Sequence, residues 1–171
     1  MKSFFSKLNE DFERWICLIF YSMVVMTIVS EVVRRFALGY SSIWGEEIAR
    51  YSFIYLAWFG AALAVRNRGH IRIDVLLNAL PVRGKATLYL FGDLATMLLA
   101  VISLWVSIEP VLTSIEFGSV TDGLRISKAW FMVAVPLGFT LVVFRLLQSM
   151  RRDLSDLIHG RPVWEGANLI D

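Results

Sequence analysis

The sequence predicts an all-α integral membrane protein, with four transmembrane helices and a short interfacial amphipathic helix between the second and third. Of 171 residues, 57% are hydrophobic and 19% charged, with a mean hydropathy of +0.61, whereas a soluble domain carries about 25% charged residues. Four windows, Trp15 to Ser30, Tyr51 to Val65, Leu94 to Ile108 and Ala129 to Phe144, contain no Asp, Glu, Lys or Arg. No Gly-, Ser- or Pro-rich linker divides them, so residues 1–171 read as a single membrane domain. This composition disfavours a disordered chain, and a single cysteine disfavours a disulfide-stapled secreted domain. A net charge of +2, mixed in sign along the chain, leaves no electrostatic footprint for nucleic acid.

A bilayer core of about 30 Å needs about 20 helical residues, so each window must extend into its charged flanks. The estimated spans are about 14–36, 44–66, 87–109 and 129–150. The residues before Trp15 carry three acids and three bases, and the first window runs into Glu31 rather than a small-residue cleavage site. The first span therefore reads as retained. Span two places Ala57, Gly60, Ala61 and Ala64 on one stripe, in line with Arg50 and Ile54, and small residues let helices approach closely where lipid provides no hydrophobic drive.

After span two, Ile73, Leu76, Leu77 and Leu80 repeat at helical spacing beside Arg72, Asp74 and Asn78, and Pro81 ends the run. This predicts an interfacial helix over about 72–80, with an ordinary loop as the alternative. Spans one and three carry large side chains on most faces, among them Phe20, Met23, Met26, Leu90, Phe91 and Leu98, which suits lipid exposure. Pro136 should kink span four or ease it around a neighbour.

With four spans, both termini and the middle loop share one side, which holds twelve of the basic residues against five on the other (Arg34, Arg35, Arg50, Arg125 and Lys128). The positive-inside rule then puts both termini in the cytoplasm. Trp15, Trp44, Trp105 and Trp130 fall near span ends, where indoles favour the headgroup level, and Trp58 is the mid-span exception.

Catalytic signatures are absent. His70 and His159 lie in polar segments, unsuited to clasping a haem between spans. No HExxH, cysteine pair, phosphate loop or nucleophile elbow occurs, so neither metal nor cofactor is expected. Ionisable residues instead gather at the span margins, where they are costly and default to function or pairing. Toward the outer face, Glu31 can reach Arg34 or Arg35, and Glu46 can reach Arg50 at helical spacing, with Glu47 beside them. These pairs either fix helices against each other or a partner, or form a hydrated fringe. Asp93, near the start of span three, is a proton or ion site or a helix-to-helix hydrogen bond. Arg66, Arg68, His70, Arg72 and Asp74 form a cytoplasmic cluster suited to anionic lipid or another subunit.

The stretches Glu46-Glu47-Ile48-Ala49-Arg50-Tyr51-Ser52-Phe53, Phe59-Gly60-Ala61-Ala62-Leu63-Ala64-Val65-Arg66 and His70-Ile71-Arg72-Ile73-Asp74 resemble the small membrane subunit (the DctQ-like, or Q, subunit) of tripartite ATP-independent periplasmic (TRAP) transporters. Trp130 and Pro136-Leu137-Gly138-Phe139 look like that family's last-helix entry, with Ser127 in place of its usual proline. The resemblance covers essentially the whole chain.

It implies a non-catalytic subunit of the bacterial inner membrane that binds a much larger transport subunit and works with a periplasmic substrate-binding protein. The large subunit of such systems carries the sodium and substrate sites and moves its substrate by an elevator-like motion, which would make this chain part of the static scaffold. Family substrates are organic anions such as C4-dicarboxylates and sialic acids, and the general likeness leans to a sialic-acid member. Two rival readings are a stand-alone, homodimeric proton-coupled exporter using Glu31 or Asp93, and a membrane anchor for an enzyme complex.

Overall fold

The computed structural model describes residues 2–67 and 82–159, with side chains from Phe12 to Asn67 and, Ala86 aside, from Gly84 to His159. The helices are α1 (Lys2–Ala37), α2 (Ile43–Arg66), α3 (Val82–Glu116), α4 (Ala129–Met132) and α5 (Ala134–His159). Four stretches are long and apolar enough to cross a membrane: Phe12–Ala37, Ile43–Arg66, Thr87–Glu116 and Ala129–His159. The fold is thus all-helical with four candidate spans. The helix expected over about 72–80 lies outside the described residues, as do Arg68, His70, Arg72 and Asp74.

Helix ends follow local chemistry. Gly39 and Gly118 take positive φ (73° and 56°) just past α1 and α3, a conformation a side chain would disfavour. At Gly118 the cap is a Schellman motif: Gly118 N–H donates to the Ile115 carbonyl and Ser119 N–H to that of Ser114, both at 3.1 Å. Pro110 sits within α3 and supplies no N–H to the carbonyl one turn back. The fourth span is divided at Val133 into α4 and α5. Pro136 accounts for the break, because it cannot donate to the Met132 carbonyl, while Leu137 N–H still reaches Val133 at 3.0 Å.

Packing runs in the order α1, α2, α5, α3, so the last span is inserted between the second and the third. The core at this junction is Ala62, Val65, Ala100, Val142 and Leu146, with Met97, Phe139, Leu141 and Val143 around it. Gly138 on α5 allows a close approach to α2: a Cβ there would lie 2.6 Å from the Trp58 ring. Trp58, the mid-span exception, therefore wedges between α2 and α5 and also meets Phe139, with centroids 4.6 Å apart. Farther along, Tyr51 stacks on Phe131 and the Tyr55 hydroxyl donates to the Trp130 carbonyl. Phe20 stacks on Tyr55 and Phe59 and brings α1 onto α2. Large apolar side chains of α1 and α3, including Trp15, Met26, Phe36, Leu98 and Trp105, remain exposed.

Candidate functional site

Polar residues collect at the two ends of α2. The end near Ile43, where residues 38–42 and 117–128 connect the spans, is the turn end. The end near Arg66 is the terminal end.

At the terminal end, Glu13 is fully buried and shared by two arginines. Arg145 Nε of α5 donates to Glu13 Oε1 at 2.6 Å, and Arg66 Nη1 of α2 donates to Oε2 at 3.3 Å. Arg145 Nη1 also donates to Gln148 Oε1 at 2.7 Å. One carboxylate thus ties three helices. Arg145, Ser149 and Asp153, buried at four-residue spacing, make a polar face on α5. Sequence reasoning singled out Arg66 but missed Glu13 and Arg145. Glu13 looks no different from Glu10 and Asp11 beside it, and its partners lie 53 and 132 residues away.

At the turn end, Glu47 is buried and reaches across to the loop after α3, accepting Gly123 N–H at 2.8 Å and Leu124 N–H at 2.9 Å. That loop is a narrow hairpin. Val120 and Ser127 form an isolated antiparallel bridge, Thr121 N–H donates to the Ile126 carbonyl at 2.8 Å, and Arg125 takes φ 55°. Gly123 permits the contact, since a Cβ there would lie 2.9 Å from the Trp44 backbone nitrogen. Glu47 therefore acts as a clamp, satisfying two otherwise orphaned backbone donors.

Glu31 accepts from Arg34 Nη1 at 3.1 Å, from Ser42 N–H at 3.1 Å and from the Ser42 hydroxyl. Of the two arginines within its reach, the structure selects Arg34, which also lies over the Trp44 ring. Gly45 leaves room for the Glu31 carboxylate against α2. Arg35 points away, exposed on the rim of a cleft between α1 and α2. Glu46 and Arg50 form an ion pair one helical turn apart, and both are exposed.

The small-residue stripe is only partly used within the chain. Ala57 is exposed, Gly60, Ala61 and Ala64 are half-buried, and among the described residues nothing lies within 4 Å of a Cβ built at Gly60. The glycines that meet other helices or loops are Gly45, Gly123 and Gly138, none of them on that stripe. Asp93 is half-buried, and its Oδ2 has no hydrogen-bond partner among the described residues. No group of three His, Cys, Asp or Glu side chains able to hold a metal occurs among the described residues.

This arrangement ties helices together, and sequence comparison says in what kind of protein. The family described as tripartite ATP-independent periplasmic transporters, DctQ component, matches residues 23–156. The chain belongs to that family. The sialic acid TRAP transporter small permease protein SiaQ of Vibrio cholerae is 26% identical over 165 residues, covering 96% of this chain and 92% of SiaQ. The ectoine TRAP transporter small permease protein TeaB of Halomonas elongata is 29% identical over 143 residues, covering 84% of this chain and 72% of TeaB. The isethionate TRAP transporter permease protein DctMQ of Oleidesulfovibrio alaskensis is 28% identical over 110 residues, which are 64% of this chain but only 17% of DctMQ. With its four membrane-length helices, this DctQ-family chain is a multi-pass inner-membrane transporter subunit and not an enzyme.

Proposed function

We propose that this chain is the small scaffold subunit of a sodium-coupled TRAP transporter for organic anions, of the sialic-acid or C4-dicarboxylate class. It binds and steadies a large transport subunit without holding the substrate itself. The observation that carries this reading is the match to DctMQ: there a region like this chain forms about a sixth of a permease polypeptide. SiaQ, 92% of which this chain covers, is named a small permease protein, and a chain of that kind joins its large subunit through a non-covalent interface.

The faces left open support that role. Ala57, Gly60, Ala61 and Ala64 offer a close-packing stripe, and the exposed Glu46–Arg50 pair lies at its turn-end limit. Glu47 contributes indirectly by holding the loop containing Gly123. Both termini face the cytoplasm, so Arg66, Arg68, His70, Arg72 and Asp74 lie on the cytoplasmic side near phospholipid headgroups, and the turn end faces the periplasmic substrate-binding protein. Of the two carboxylates a proton-coupled exporter would use, Glu31 is engaged by Arg34 and Ser42, while Asp93 keeps an Oδ2 without a partner among the described residues.

The test is affinity purification of the tagged chain from its native operon in mild detergent, followed by intact-complex mass measurement. One copy bound to one large integral membrane protein is expected. A homodimer with no large partner overturns the reading.

A further inference from the structure

The cleft between α1 and α2 at the turn end has a volume of about 600 Å³. Val24 and Ile28 of α1 and Phe53 of α2 give it an apolar floor, and toward the turn end it is lined by Arg35, Arg50, Ser41 and the carboxylates Glu31 and Glu46. From Arg35 to Val24, and equally from Ile43 to Phe53, the cleft follows its helices for about 15 Å at ~1.5 Å per residue. That is about half of a ~30 Å bilayer core, the depth of one leaflet. With Glu31 paired to Arg34 and Glu46 to Arg50, the charge left over at the mouth is that of Arg35, above a greasy channel one leaflet deep.

Arg35 is the informative group at that mouth. Its neighbour Arg34 is engaged by Glu31, and Arg50 by Glu46. Arg35 makes no hydrogen bond or ion pair among the described residues, although it lies within the span Phe12–Ala37. An arginine at a span end sits at headgroup level, where its guanidinium matches a phosphate through two parallel hydrogen bonds. The rim and floor together suit a ligand with one anionic phosphodiester and a long acyl tail.

We propose that this cleft is a phospholipid site: the headgroup phosphate pairs with Arg35 beside Ser41, and one acyl chain lies along Val24, Ile28 and Phe53. It is separate from the basic cluster at the terminal end, and it holds whichever side of the membrane the turn end faces. A lipid seated here would fill the opening between α1 and α2 that the protein itself leaves.

The test is native mass spectrometry of the purified full chain, released from vesicles of phosphatidylethanolamine and phosphatidylglycerol. The proposal expects one retained phospholipid per chain. Arg35→Gln removes the charge at an exposed position, and Ile28→Trp fills the floor; each should lower the retained fraction about tenfold, the size of a lost charge-assisted contact. Arg125→Gln, an exposed turn-end arginine outside the cleft, should leave it unchanged. Retention equal to the parent chain in both cleft variants overturns the proposal. So does loss of the lipid whenever the large subunit is bound, since a protein side chain would then occupy the cleft. Either result leaves the scaffold reading intact, because that reading rests on the composition of the complex.

Discussion

Replacing Glu13 with Gln keeps the side chain's shape and removes its charge. In the folded chain that carboxylate is fully buried between Arg145, itself only 5% exposed, and Arg66. Breaking a buried ion pair from one side costs about 3–5 kcal/mol, because the remaining charge is left uncompensated in a medium of low dielectric. Arg66 keeps a side-chain exposure of 20% and can turn toward water, so most of the penalty falls on Arg145. The expected loss is therefore about 3 kcal/mol, at the lower end of the range. Reversible unfolding in mixed detergent micelles would measure it. The decisive control is the cycle with Arg145→Gln: the double variant should be clearly more stable than the two single losses added together, since it leaves neither a buried carboxylate nor the buried Arg145 charge, and the part-exposed Arg66 can turn toward water. A loss below about 1 kcal/mol for Glu13→Gln, or strict additivity with Arg145→Gln, would refute the idea that this carboxylate ties α1 to the bundle.

The remaining predictions probe other contacts. Gly138→Val should push α5 off Trp58 and cost about 1–3 kcal/mol in the same unfolding assay, with partial recovery in a Trp58→Ala background. Glu47→Ala should strip the acceptors from Gly123 and Leu124 at a cost of about 1.5–3 kcal/mol and raise amide hydrogen exchange across residues 120–127; unchanged exchange there would dismiss the clamp. Gly60→Leu separates intrachain from interchain packing. With no atom of the described residues within 4 Å of a Cβ there, the isolated subunit should hold or gain up to ~1 kcal/mol from the better helix former, while copurification of the large subunit falls. Full retention of both stability and complex would remove the stripe from the interface.

Hydropathy and charge placement determined the membrane class and the number of spans, because the cost of burying charge in hydrocarbon acts on each segment separately and does not depend on what that segment packs against. Short-range chemistry was legible for the same reason. Glu46 meets Arg50 one turn on, and the backbone break sits one turn before Pro136. The family motifs around Glu46, Gly60 and Pro136 also lie in continuous sequence, so relatedness could be read without a fold. What the sequence left open was decided by helices meeting far along the chain. Only the insertion of α5 between α2 and α3 brings Arg145 to Glu13 and Trp58 to Gly138. Glu47 is the same residue type as its neighbour Glu46, yet the step of about 100° between them around α2 sends one carboxylate to solvent and the other beneath the loop at Gly123. A glycine's use likewise depends on what stands opposite it: Gly138 faces an indole, whereas none of the described residues lies against Gly60.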